Sequence, residues 1–172
     1  MNAVEDKLVA CLREKFPSEV LGTAEYRKQL AVTVKSGNIL ALLRCLKDDA
    51  DLAFVRLADL CGADYLGRDE AERYAVVYHL HSFKHNLWVR IRAMVSERAA
   101  EIDTAREIWP CAEWLEREAF DLFGIRFRNH PDLRRILMPE DYPAHPLRKD
   151  YPLRGLGERN QFKVYNPNEA VK

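Results

Sequence analysis

Along the first hundred residues the apolar positions recur with two different periods, and the period assigns the element. Val4, Leu8, Cys11 and Leu12 share one side of a helix over residues 3–16, which Pro17 stops. In the next stretch Leu30, Val32 and Val34 alternate with Gln29, Thr33 and Lys35, the period of a strand with one wet face. Ser36 is placed to cap a second helix, whose Ile39, Leu42, Leu43 and Leu46 fall at i, i+3, i+4 and i+7. Residues 52–66 carry a mixed pattern and read as extended near 58–65. The strongest alternation is a hairpin: Tyr74, Val76, Tyr78 and Leu80 in one arm, Leu87, Val89, Ile91, Ala93 and Val95 in the other, with the turn near residues 83–86.

Helices and strands are mixed without strict βαβα alternation. The pattern therefore predicts an α+β fold, with helices packed on a mixed, largely antiparallel sheet. Neither a GxGxxG nor a Walker A sequence occurs, which argues against a nucleotide-binding fold.

Composition narrows the function classes. With 172 residues, 48% of them hydrophobic and 31% charged, the chain has the makings of one soluble folded domain. Its 27 basic and 27 acidic residues cancel, so no global field draws it to nucleic acid or anionic lipid. No apolar run approaches the roughly 20 residues that span a bilayer, and the first residues mix charge with apolar positions unlike a signal peptide. A cytosolic or peripheral protein without direct membrane insertion is expected.

The four cysteines are spaced by 34, 16 and 50 residues, with no C-x-x-C pair, so cluster or zinc ligation and a disulfide-linked partner are not expected. His79 and His81 share a strand face, but Trp88, Arg90 and Arg92 should lie opposite, and cationic neighbours oppose a metal. No G-x-S-x-G, H-E-x-x-H or Cys/His dyad is present. Catalytic, cofactor-binding and metal-ligating residues are accordingly expected to number none.

The character of the chain changes after about residue 100. Residues 101–123 carry seven acids against two bases, residues 126–159 eight bases against five acids, and six of the eight prolines lie between 131 and 167. Such proline spacing supports neither helix nor interior strand, yet Leu133, Ile136, Leu137, Tyr142, Leu147 and Tyr151 are apolar. The expected division is an α+β domain over residues 1–137 and an extended, Pro- and Arg-rich docking tail over 138–172. That tail should be ordered mainly by a partner, with Arg148, Lys149 and Arg154 meeting acidic groups across the interface. Before it, Pro110 sits at the first turn of a helix running to Phe123, with Gly124 as its stop. Steps of 100° put Cys111, Trp114, Leu115, Glu118, Ala119 and Leu122 on one face, so Glu118 should be buried and paired with Arg134 or Arg135. The same wheel leaves Phe120 on the outside, as an interface residue.

Three stretches with fixed spacing carry a resemblance. They are Glu116-Arg117-Glu118-Ala119-Phe120-Asp121-Leu122-Phe123-Gly124-Ile125, His130-Pro131-Asp132-Leu133-Arg134-Arg135-Ile136-Leu137, and His145-Pro146-Leu147-Arg148-Lys149-Asp150-Tyr151-Pro152. Together they resemble the signature of the C subunit of proton-pumping NADH:quinone oxidoreductase, the thirty-kilodalton subunit family of respiratory complex I. The resemblance implies a structural subunit of the hydrophilic arm without a redox centre, on the cytoplasmic face of the bacterial inner membrane. It would dock mainly on the large quinone-site partner, the D subunit, and near the B and I subunits, while flavin, iron–sulfur clusters and quinone reside in the partners. Equivalent subunits of membrane-bound hydrogenase or formate hydrogenlyase complexes share the signature and form the alternative. Asn129 stands where the family usually has Gly, which still permits a turn with positive φ, and Phe120 where Tyr is frequent.

Overall fold

The computed structural model describes residues 3–158. Its centre is a five-stranded sheet of β1 (Val20–Tyr26), β2 (Gln29–Lys35), β3 (Arg56–Asp64), β4 (Tyr74–Ser82) and β5 (Leu87–Val95), ordered β1-β2-β5-β4-β3. Neighbours are antiparallel except β2 and β5, which run parallel. A parallel pair needs a long crossover, and here α2 (Ile39–Asp48), β3 and β4 all lie between its two strands. The α+β class and the mixed, largely antiparallel sheet are therefore as the pattern predicts.

The two periods meet in one core. Leu8 and Leu12 of α1 (Ala3–Lys15), and Ile39, Leu42, Leu43 and Leu46 of α2, pack with Leu30, Val32, Val34, Val76, Tyr78, Leu80 and Ile91 of the sheet. In the hairpin Tyr78 pairs with Ile91 and Leu80 with Val89, and Asn86 takes a positive φ of 48° in the turn. Two details differ from expectation. Helix α2 starts at Ile39 with Asn38 as its N-cap and no side-chain cap bond, so Ser36 is not the cap. Strand β1 has no strong alternation and stays mostly exposed at the sheet edge, which is why its pattern is silent.

The C-terminal part is built around α3 (Ala112–Phe123), flanked by a parallel pair of short strands, β6 (Glu101–Asp103) and β7 (Arg126–Arg128). Pro110 precedes the Cys111 N-cap instead of entering the first turn, and Trp109 Nε1 donates to the Val55 carbonyl at 2.9 Å, fixing where α3 begins. Helix α3 leans on the free edge strand β3, which would otherwise offer an unpaired ladder. At Gly62 the fit leaves no room for a side chain, since a Cβ there would meet the Phe123 ring at 2.5 Å. From Asn129, whose φ is 62°, to residue 157 there is no further helix or strand. Residues 159–172 of the expected tail lie outside the described residues.

Candidate docking site

An irregular, proline-rich strap cannot satisfy its own backbone donors and acceptors through a ladder, so it must find them elsewhere. Helix α3 supplies them, and this turns the helix away from the orientation that the wheel predicts. Its buried residues are Ala112, Glu116, Arg117, Ala119 and Asp121, whereas Trp114 is 58% exposed and Cys111 and Glu118 are exposed. The expectation of a buried Glu118 paired with Arg134 or Arg135 is thus wrong. Apolarity marks the inward face where the neighbour is apolar, but the strap rewards charged groups there.

Asp121, 0% exposed, is the hub. One carboxylate oxygen accepts from Arg135 Nη1 at 2.8 Å, and the other accepts from the backbone N–H groups of Ile136, Leu137 and Met138 at 3.0, 2.7 and 2.8 Å. Burial pushes this carboxyl up, but the three N–H donors and the guanidinium outweigh it and hold it below its ordinary range. The Asp121 carbonyl binds His145 Nδ1 at 2.9 Å, and Arg135 donates onward to the carbonyls of Tyr142 and Ala144 at 2.8 and 3.1 Å. One acid and one base therefore organise residues 135–145.

The neighbouring charges follow the same logic. Arg117 donates through Nε and Nη2 to the carbonyls of Arg134 and Arg135, both at 3.1 Å, and lies over the Trp114 ring at 5.0 Å. Glu116 accepts from the Thr104 hydroxyl and from the Ala105 N–H at 2.6 Å, tying α3 to the segment after β6. Its burial raises its pKa to about 7 despite both donors. His130 Nε2 reaches the Glu113 carbonyl at 3.1 Å and its Nδ1 accepts from Asp132 N–H at 3.1 Å, which shapes the start of the strap. Pro131 is exposed, and Arg134 folds onto Asp132 at 2.6 Å, on the surface.

A second anchor sits at the far end. Asp64 accepts from Arg73 Nε and Nη2 at 3.1 and 3.0 Å and from the Lys149 N–H at 2.8 Å, while Asp150 pairs with Arg73 at 2.9 Å. Arg148 donates to the Phe123 carbonyl at 2.7 Å and lies over the Tyr74 ring at 5.5 Å. Between them Gly124, at φ 74°, ends α3 with its N–H on the Phe120 carbonyl at 2.8 Å. A Cβ there would lie 2.3 Å from Arg148 Nη2 and 2.6 Å from His145 Nε2, so glycine is required twice over. Pro146 is half-buried beside Tyr151, whose hydroxyl bonds that of Tyr142 at 2.6 Å and Glu158 Oε1 at 2.7 Å.

Several expectations need correction here. Residues 135–150 are bound by this chain's own α3 and β3–β4 region, and Arg148 turns inward instead of toward a partner. Phe120 is half-buried against the core, with His145 edge-on at 6.2 Å between ring centres, so it is no exposed interface ring. Asp64, Arg73 and Thr104 escape sequence reasoning, because nothing local announces partners 85 residues away, as between Asp64 and Lys149.

What remains on the outside of α3 is only part of its apolar stripe, since Ala119 is buried and Leu115 is half-buried against the core. Trp114 stands at 58% exposure, and Leu122 and Phe123 join Leu60, Cys61, Gly62 and Leu147 around a groove of 140 Å³ that Glu118 borders. Leu147 is 49% exposed and Leu137 57%, so the strap adds apolar area to the surface.

Sheet, helix and strap together define a class: a small α+β protein whose charged residues clamp a proline-rich strap and whose helix keeps Trp114 exposed. The profile of the respiratory-chain NADH dehydrogenase 30 Kd subunit family matches residues 32–156, and the chain belongs to that family. The C subunit of the NADH-quinone oxidoreductase of Citrifermentans bemidjiense is 48% identical over 161 residues, covering 94% of this chain and 97% of that protein. Among solved structures, the trypsin-resistant fragment (1-134) of Nqo5 is 30% identical, covers 76% of this chain and 99% of that one, and superposes with a TM-score of 0.66. A chain of the membrane-bound sulfane sulfur reductase, an archaeal respiratory membrane complex, shares the fold over 97% of this chain and 99% of that one, with a TM-score of 0.69 at 22% identity. No helix among the described residues is long and apolar enough to cross a membrane.

Proposed function

We propose that this chain is a redox-inert docking subunit of NADH–quinone oxidoreductase, seated peripherally at the cytoplasmic face of the bacterial inner membrane. It binds mainly the D subunit, with the B and I subunits nearby, while flavin, iron–sulfur clusters and quinone are held by partner chains. The observation that carries this reading is the division of α3 between buried charged groups and an exposed Trp114. A helix that commits Glu116, Arg117 and Asp121 to its own chain and leaves Trp114 exposed, with Leu122 half-buried at the groove, offers an apolar surface on a rigid support. Interface cores favour such aromatic anchors. The 48% identity to a protein named as the C subunit of NADH-quinone oxidoreductase favours this complex over a hydrogenase-type assembly.

The test is co-purification with the D subunit. Trp114→Glu combined with Leu147→Glu alters two exposed side chains, so the chain should keep its melting temperature and lose its partner. Retention of the D subunit by that variant would refute the surface. Inertness is checked separately by the ultraviolet–visible spectrum of the pure chain, where flavin or iron–sulfur absorption would contradict it.

A further inference from the structure

On the sheet face where the pattern paired His79 with His81, the fold assembles a different set. Asp59 and Cys61 alternate on β3, and Asp59 is the cross-strand partner of His79 on β4. The carboxylate, thiol and imidazole ligand atoms all lie within 4.8 Å of one another. His81 is committed elsewhere, stacked on Trp88 at 4.4 Å and edge-on to Phe83 at 4.8 Å.

From this juxtaposition we infer that Asp59, Cys61 and His79 form a site for a borderline divalent cation, Zn²⁺, on the edge of the sheet beside α3. Tetrahedral zinc with bonds of about 2.0–2.3 Å places its ligand atoms roughly 3.5 Å apart, so binding would draw the three atoms together from within 4.8 Å of one another. The mixed thiolate, imidazole and carboxylate set suits zinc and disfavours calcium or magnesium, which take oxygen ligands.

Charge points the same way. Asp59 has no ion pair among the described residues, and Glu118 of α3, likewise without one, borders the same groove as Cys61. Burial first, and then the carboxylates of Asp59 and Glu118, push the Cys61 thiol up. Arg90, the cross-strand partner of His79, supplies one opposing positive charge, and Arg56 is turned onto the Phe83 ring at 6.0 Å. Asp59, Glu118 and a Cys61 thiolate would carry three negative charges against Arg90, since Arg92, in line with Cys61 across β4, is paired with Glu70 at 2.8 Å, and a divalent cation that displaces the thiol proton offsets the excess. Burial pushes the His79 imidazole down, against the carboxylate of Asp59 and with the help of Arg90. The fourth position faces Glu118 or water. Since zinc has no redox chemistry, its presence leaves the electron-transfer reading untouched.

The experiment titrates the purified full-length chain, freed of metal by a chelator, with Co²⁺. One equivalent should give tetrahedral absorption with a thiolate-to-cobalt charge-transfer band, and Zn²⁺ should abolish it by displacement. Cys61→Ser should remove the band, and His79→Ala should weaken binding at least about tenfold, the lower end of what losing even an outer-shell partner costs. The exposed Asp59 and Cys61 can be changed without loss of fold, which the melting temperature in chelator verifies. Absence of saturable binding, or a band that survives Cys61→Ser and disappears in a Cys11→Ser, Cys45→Ser double variant, overturns the site.

Discussion

Between residues 30 and 95 the side chains at zero exposure include Leu30, Val32, Ile39, Leu43, Tyr78 and Ile91, whereas within α3 they include Glu116 and Asp121. Both regions are interior, but they are interior for different reasons. The sheet and its two helices satisfy their backbone internally, so their contact surfaces can be apolar and the hydrophobic effect holds them. The strap has no ladder, and its N–H and C=O groups must be met by side chains, so charged groups are buried against it. A region's backbone hydrogen bonding thus decides which side-chain chemistry its neighbour must present.

The sharpest way to test that contrast sets Asp121→Ala against Leu43→Ala. Removing Asp121 strands Arg135 and three backbone donors, and breaking such a buried pair costs about 3–5 kcal/mol. Leu43→Ala opens a core cavity at a similar cost of about 2–5 kcal/mol. Urea midpoints should therefore fall in both. Limited trypsin digestion should separate them, with Asp121→Ala selectively speeding cleavage at Arg134, Arg135, Arg148 and Lys149. If both variants give the same digestion pattern, the strap is not held by its own charges.

Next in size is the pH dependence set by Glu116, whose ordinary pKa of 4.5 rises to about 7 in the fold. The folded state then holds a proton that the unfolded chain releases, so this group lowers stability as pH rises from about 4.5 to 7. The shift corresponds to roughly 3 kcal/mol. Asp121 has the opposite sign: its carboxyl is held below 3.8, so its stabilisation is present above that value and lost on further acidification. Glu116→Gln imitates the protonated form, and its denaturation midpoint should lose the decline between pH 5 and 7 that the parent shows. A variant that keeps the decline assigns it to another group.

The same contrast explains what the amino-acid sequence makes legible. Periodicity places α1, β2, α2 and the β4–β5 hairpin, because there one face is apolar and its partner is the common core. It locates α3 as an element and Gly124 as its stop, and it places Ala119 inside correctly, yet it mistakes Trp114 and Glu118, since an amphipathic pattern says which residues are alike and not which side is covered. The family signature does contain the hub residues Asp121, Arg135 and Arg148, but without their pairing. Asp64, Arg73 and the Asp59–Cys61–His79 set depend on register across strands distant in sequence, and no local pattern encodes them.

Gly124 probes the joint between the two regions. Alanine there must adopt a left-handed φ of 74° and also displace the Arg148 guanidinium and the His145 ring. The cost should exceed about 1 kcal/mol, the scale of the conformational effect alone. Thermal denaturation measures it. Combining Gly124→Ala with Arg148→Ala should recover part of the loss, because one of the two obstructed groups is then gone; a purely additive double variant would mean that only the backbone conformation matters.

The smallest expected effect is the most discriminating. Glu118 and Asp121 lie one turn apart on α3, both acidic, and a helical wheel drawn on apolarity places Glu118 inside. In the fold Glu118 is exposed, at the rim of the groove beside Cys61, and makes no ion pair among the described residues. Surface changes away from caps and networks stay within about 0.5 kcal/mol, so Glu118→Ala should melt in urea with the parent protein while Asp121→Ala does not. Equal and large losses from the two would mean that α3 is rotated to bury its apolar stripe, and the charged clamp on the strap would have to be abandoned.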